Sequence, residues 1–310
     1  MLQRLLLGPQ RPIRNLDQVV AGANLPEGPI AVISAGWQEA EGDIDDVRAL
    51  VPGTLIDLNL YHRAEEIFSG DQNLHRAHRD RQDQLKQQQR LYRLRLRQLM
   101  ISARQLRRSD ADPQLIASEE RHAISQIRAL DRHHLGRIEA IHGSFDDKIG
   151  ADHSITLARH VAAVREVLDD CPTVLITGGN VIVLLNRLRL FGVDRLLAEK
   201  HVIAWSAGAM VLSDRIVLYH DKTPQGRRDP EIFSAGAGVL PGYIFLPDAE
   251  RRLRTKDPLR VGLFSRRFAP AACVALDSGS LLQFEGTQFK RADGAKLLTP
   301  KGRMSKVRSP

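Results

Sequence analysis

The stretch His201-Val-Ile-Ala-Trp-Ser-Ala-Gly-Ala-Met-Val211 constrains the fold of this chain more than any other. Residues 201 to 205 form a short apolar run that predicts a buried strand, and the small residues after Ser206 predict an immediate turn into a helix. A strand that passes directly into a helix belongs to a layered α/β architecture, in which helices cover a sheet. Ala204 and Gly208 flank Ser206 two positions away on either side. Small residues are needed there when a serine is pushed out on a tight, strained strand-to-helix turn, because larger side chains have no room. Ala204 departs from the first glycine of the usual G-x-S-x-G pattern.

The rest of the chain repeats the alternation with one long interruption. Leu5 to Leu7, Pro29 to Ser34 and Gly53 to Leu60 are short apolar runs bounded by Gly and Pro, and Asp43 to Leu50 is a candidate helix. After the interruption, His153 to Leu168 is amphipathic, Thr173-Val-Leu-Ile176 predicts a strand, and Gly178-Gly-Asn180 turns into a helix over Val181 to Leu190. Ile216 to Tyr219, Ala272 to Leu276 and Leu281 to Phe284 predict further strands, with Phe289 to Arg291 and Ala295 to Leu298 expected to pair as a last hairpin. Runs of this kind predict a doubly wound, mostly parallel sheet.

The interruption spans residues 64–150. Between Asp71 and Arg108 there are eleven Lys or Arg against three Asp, a net +8 that equals the formal charge of the whole chain. Leu85, Tyr92, Leu96, Leu99, Ala103 and Leu106 follow heptad-like steps, and Ile116, Ala123, Ile127, Leu130, His134 and Ile138 follow them again after a turn and cap at Ser109 to Pro113. Two helices of about 30 residues, each about 45 Å long, are expected to pair as an antiparallel hairpin standing off the sheet. Its arginines suit a solvated face, or a contact with a second copy of the chain. Nucleic acid is disfavoured, because Tyr92 is the one aromatic in the run and supplies no stacking platform.

The chain thus divides into 1–63, the first part of an α/β domain; 64–150, the basic helical hairpin; 151–300, the remainder of the α/β domain; and 301–310, a basic tail expected to be disordered. A chain of 310 residues with 43% apolar content is ample for a packed core. The two cysteines, Cys171 and Cys273, lie in separate segments without metal-ligand spacing, which suits a reducing compartment. No apolar run reaches transmembrane length and the N-terminus has no signal-peptide pattern. These features predict a cytoplasmic protein without metal or cofactor.

A nucleophilic serine needs a base, an acid that orients the base, and N–H donors for a developing oxyanion. The Ala207 N–H, at the start of a helix, and Gly178-Gly179, at the end of the preceding strand, are the candidate donors, with Gly179 as the second oxyanion residue. Together these motifs resemble peptidase family S51, the group of cyanophycinase and the α-aspartyl dipeptidase. Ile176-Thr-Gly-Gly-Asn180 and its helix, Ala204-Trp-Ser-Ala-Gly-Ala209, Gly236-Ala-Gly-Val-Leu-Pro241 and Ala275-Leu-Asp-Ser-Gly-Ser-Leu-Leu282 are similar to successive family runs. Residues 1 to 62 fit more loosely, and 64–150 has no counterpart.

The resemblance implies a class I glutamine amidotransferase-like fold, Ser206 as nucleophile, and cleavage of a small peptide or isopeptide bond. It also implies that Asn180 and two arginines, Arg252 and Arg254, hold substrate. The departures are at the activating groups. Asp248 stands where the family has its catalytic histidine, and Ser278 where the cyanophycinase branch has a supporting glutamate. Asp221 falls near the triad aspartate of the dipeptidase branch, so His220 is a substitute base to be oriented by Asp221 or Asp248; the plainer reading of His220 is a loop histidine. The alternative function is a catalytically degenerate homologue that binds a small ligand or assembles through its hairpin. An amidotransferase proper is disfavoured, since that chemistry uses cysteine at the elbow.

Overall fold

The computed structural model describes residues 1–149, 154–221 and 229–307. The expected helix start at His153 and the last three residues of the basic tail lie outside these. The chain opens with strand β1 (Gln3–Leu7), helix α1 (Leu16–Ala21), strand β2 (Ile30–Ile33), a short turn of helix over Ala35–Ala40, helix α2 (Asp45–Arg48) and strand β3 (Leu55–Asp57). Three helices follow, α3 (Leu60–Gly70), α4 (Gln72–Leu106) and α5 (Pro113–Ile149), and then α6 (Ile155–Asp170). The α/β alternation resumes with β4 (Thr173–Ile176), α7 (Val181–Leu190), α8 (Val193–Leu196), β5 (His201–Trp205) and α9 (Ala207–Val211).

The main sheet has seven strands in the order β11-β10-β1-β5-β4-β2-β3, where β10 is Leu281–Glu285 and β11 is Gln288–Asp293. The five strands from β1 to β3 are mutually parallel, and β10 and β11 close the edge beside β1 in antiparallel pairing. This is the doubly wound, mostly parallel sheet expected, with helices inserted between β3 and β4. Val202, Ile203 and Ala204 of β5 are wholly buried, as a parallel strand covered on both faces must be. Registers that pair Leu7 with Trp205 and Ile176 with Ala204 bring the carboxyl ends of β1, β4 and β5 side by side.

The C-terminal part differs from the expectation of one sheet. Strands β6 (Arg215–Leu218) and β7 (Glu231–Ala235) form a separate ribbon, and β8 (Tyr243–Pro247), β9 (Ala272–Leu276), β12 (Lys296–Leu298) and β13 (Met304–Lys306) form a second sheet. Phe289 therefore pairs within the main sheet through β11, while Leu297 pairs with Val274 and Ser305 in the second. The apolar runs are strands as read, but which sheet each joins depends on long-range packing that periodicity does not encode. Residues 304–306 of the expected disordered tail are a strand, because the backbone of β12 would otherwise present an unpaired edge.

The paired helices are 35 and 37 residues long. Asp71 caps α4 by accepting from the Leu74 N–H at 2.9 Å, and the Ser154 hydroxyl donates to the same carboxylate at 2.8 Å, clamping the two ends of the insertion together. Asp112 accepts from the Gln114 and Leu115 N–H groups at the start of α5, with Pro113 at the first helical position. Tyr92, Leu96 and Ala103 of the first expected seam are buried, with Met100 in place of Leu99. Ala123, Ile127, Leu130, His134 and Ile138 of the second are buried too.

The hairpin lies against the body instead of standing off the sheet. Helix α10 (Pro258–Phe268) carries Arg267, whose guanidinium binds Asp131 of α5 at 2.7 Å and the Tyr92 hydroxyl at 2.6 Å. Arg93 binds Glu231 at 2.7 Å, Arg104 binds Asp229, and Arg107 and Arg266 share Glu120. Arg93, Arg104 and Arg107 are thus paired with carboxylates, buried Arg81 lies over the Phe145 ring, and Arg76, Arg79, Arg90, Arg95 and Arg97 remain as the solvated basic face.

Candidate functional site

Ser206 follows β5 with φ 52° and ψ −116°, a left-handed conformation that a residue with a Cβ adopts only under strain. Its N–H donates to the Leu7 carbonyl at 3.1 Å, and its carbonyl accepts from the Met210 N–H at 3.2 Å, so the strained turn is held on both sides. A Cβ at Gly208 would lie 2.4 Å from the Ile176 carbonyl oxygen, which is why the position after the elbow alanine is glycine. Ala204 is buried with no exposure between β1 and β4. The serine turn expected from the sequence is therefore formed.

The turn after β4 approaches it closely. A Cβ at Gly178 would come to 3.1 Å from Ser206 Cβ, and one at Gly179, whose φ is +107°, would meet the Gly36 carbonyl oxygen at 2.2 Å. The backbone N–H groups of Gly178 and Gly179 have no acceptor among the described residues, and that of Ala207, first in α9, has no intrahelical one. Gly178 and Gly179 line the same cleft as Ser206, and the Ala207 N–H follows it directly, the positions expected of donors to a carbonyl oxygen or oxyanion.

A cleft of about 690 Å³ opens over this group, at the carboxyl ends of the strands where ligands of doubly wound sheets bind. Ser206, Gly178 and Gly179 form its floor, and Trp37 and Trp205, the two tryptophans of the chain, line it. Gln10, Arg11 and Arg14 come from the loop after β1, and Asp43 and Asp46 from the segment after β2. Arg11 and Asp46 pair at 3.5 Å while largely exposed. The residues after β1 and β2 had no motif to mark them; their one signal was position, since every strand end on this edge borders the crevice.

The other expected site residues are employed elsewhere. Asn180 caps α7, accepting from the Ile182 and Val183 N–H groups, and its amide nitrogen donates to Gln38 Oε1 at 3.1 Å. Asp221 is 2% exposed and accepts from Arg260 Nε at 3.1 Å, from Arg260 Nη2 and from the Arg254 N–H at 3.0 Å. Asp248 has φ 59°, donates its N–H to Leu276, and accepts from Arg251 Nε at 2.6 Å and Arg252 Nε at 3.4 Å. His220, Asp221, Asp248, Arg252 and Arg254 are not among the residues lining the cleft, and no histidine lines it among the described residues. Both aspartates pair with nearby arginines, and the guanidinium groups lining the cleft are those of Arg11 and Arg14.

Fold and site together define an α/β protein of the doubly wound class with a serine elbow at the crevice. Residues 140–292, from the end of α5 to β11, match Peptidase family S51. Among solved structures, a crystal structure of a peptidase from an acI-B1 Actinobacterium is similar with a TM-score of 0.42 and 10% identity, over 99% of this chain and 94% of that one. No curated protein matches the chain. No helix among the described residues is long and apolar enough to cross a membrane.

Proposed function

We propose that this protein binds a small peptide or another amide-bearing molecule in the Ser206 cleft and does not turn it over by a serine triad. The observation that carries this reading is a formed elbow whose N–H groups have no acceptor among the described residues, while Asp221 and Asp248, outside the cleft lining, pair with arginines. A carbonyl oxygen set against Ala207, Gly178 and Gly179 gains charge-complementary hydrogen bonds, and the tryptophans bury an apolar side chain next to it. Without a base the Ser206 hydroxyl remains an ordinary alcohol. Loss of triad members leaves on the order of 10³–10⁴-fold rate enhancement over water from the oxyanion donors and binding.

The second reading is an S51-type hydrolase that cleaves a small peptide or isopeptide bond with His220 as base. The strained Ser206 turn favours it, since strain at a non-glycine residue is retained where it serves chemistry. Because both tryptophans line the cleft, intrinsic fluorescence reports binding there directly. Titration with an aspartyl dipeptide amide is expected to change that fluorescence saturably, with no amine released and no labelling of Ser206 by a fluorophosphonate. Rapid stoichiometric labelling that disappears in His220→Ala would overturn the proposal in favour of the hydrolase.

A further inference from the structure

A second cavity, of about 320 Å³, lies where the hairpin meets the body, between α4, α5, α7 and the β6–β7 ribbon. It shares no lining residue with the Ser206 cleft. Leu85, Ile138, Leu218 and Phe233 give it an apolar wall. Gln82, Lys86, Asn186 and Arg189 give it polar groups that are mostly hydrogen-bond donors or cations.

Two of these groups lack the partner their burial demands. Arg189 donates to His142 Nε2 at 2.8 Å, to the Ser234 hydroxyl at 2.9 Å and to the Ala235 carbonyl at 2.9 Å, all neutral acceptors. No carboxylate lies within ion-pairing distance of it among the described residues; Asp194, Asp146 and Glu139 act on it only from farther away. Burial lowers its pKa, and it lowers that of His142 to about 3, so the histidine is neutral and accepts the arginine's proton. Gln82 Nε2 is buried with no hydrogen-bond partner among the described residues. Buried donors and charges of this kind are costly unless something pairs with them.

We propose that this cavity is a binding site for a small amphipathic organic anion, its acid group held by Arg189, Gln82 and Lys86 and its apolar body against Leu85, Ile138, Leu218 and Phe233. The volume lies within the range of small-molecule sites, and an apolar wall with a few convergent polar groups is their usual composition. Lys86, paired with exposed Asp83 at 2.9 Å, sits on the solvent side and supplies attraction without a buried partner to displace. The site owes nothing to the chemistry at Ser206 and would serve the protein under either reading of that cleft.

The test uses the full chain and 8-anilinonaphthalene-1-sulfonate, an aromatic body with one sulfonate. Saturable fluorescence enhancement is expected, displaced by octanoate and not by octanol. Gln82→Glu and Lys86→Glu, which place negative charge at the cavity, should each raise the dissociation constant about tenfold or more, while Trp37→Ala in the other cleft leaves it unchanged. Circular dichroism identifies any variant that fails to fold, and Lys86, being exposed, keeps the test open if Gln82→Glu does. Binding that does not saturate, that octanol displaces as well as octanoate, or that Trp37→Ala abolishes while the charge variants do not, overturns the proposal.

Discussion

The strain at Ser206 has a stability signature that separates a functional turn from an ordinary strand–helix junction. At φ 52° and ψ −116° the Cβ costs about 1–3 kcal/mol, because only glycine occupies this region freely. Ser206→Ala keeps the Cβ and so keeps the strain; Ser206→Gly removes it. In ordinary backbone glycine is less stable than alanine by about 0.5–1 kcal/mol, through the entropy of the unfolded chain. Taking that from the strain released leaves Ser206→Gly more stable than Ser206→Ala by roughly 0.5–2 kcal/mol. Gln38 provides an internal control: it has φ 59° and ψ −122°, nearly the same conformation, but its side chain accepts a hydrogen bond from Asn180. Gln38→Gly should gain the same relief and lose about 1 kcal/mol with that bond, for a net near zero. Urea unfolding followed by circular dichroism, with equal slopes confirming a shared mechanism, reads all three differences. Glycine less stable than alanine at 206 by the ordinary amount would refute the argument that the turn is strained.

Two further perturbations test the hairpin's attachment. Burial lowers the pKa of His78 to about 3 and that of His134 to about 4 from 6.5, so the folded state refuses protons that the unfolded state takes below about pH 6.5. Their contribution is complete above that pH and is lost as pH falls toward the folded values; by pH 5 the loss is about 2 kcal/mol per residue, and His78→Phe, which keeps the ring against Phe68, should remove about that much of the difference between pH 8 and pH 5 in urea unfolding, an unchanged difference refuting it. Asp131→Ala leaves the Arg267 guanidinium buried without its carboxylate and should cost about 3–5 kcal/mol, whereas Asp131→Leu combined with Arg267→Met should recover most of it; a cost of the single change near that of a surface pair would refute the role of this network.

What the sequence makes legible follows from the range of the physics involved. The Ser206 turn is local: alternation of apolar and small residues over eleven positions dictates a strand, a tight turn and a helix, and Gly208 and Gly179 are required by backbone atoms a few ångströms away. The heptad steps of Tyr92, Leu96 and Ala103 are local as well, and the seam they predict is buried. The ion pairs of Asp221 and Asp248 were not legible, for the opposite reason. Their chemistry depends on which cations lie across space, and Arg260, thirty-nine residues from Asp221, is not marked by any spacing rule. Arg11, Arg14 and Trp37 reach the cleft because the ends of β1 and β2 are brought to the edge of the sheet that also carries Ser206.

The insertion and Asp221 are connected by one chain of ion pairs. Asp221, the position that the family resemblance gives to a triad aspartate, binds Arg260; Arg260 binds Asp229 at 2.9 Å; and Asp229 binds Arg104 of the hairpin. A carboxylate that oriented an imidazole at Ser206 would have to leave this network and strand Arg260, which is 3% exposed. Removing one partner of such a buried pair costs about 3–5 kcal/mol, a large share of the stability of a typical domain. The contacts that dock the basic helices on the body therefore help to hold Asp221 where it is. Asp221 is thus linked to the hairpin through Arg260 and Asp229, so loosening the hairpin at Arg104 should reach Asp221 through those two residues.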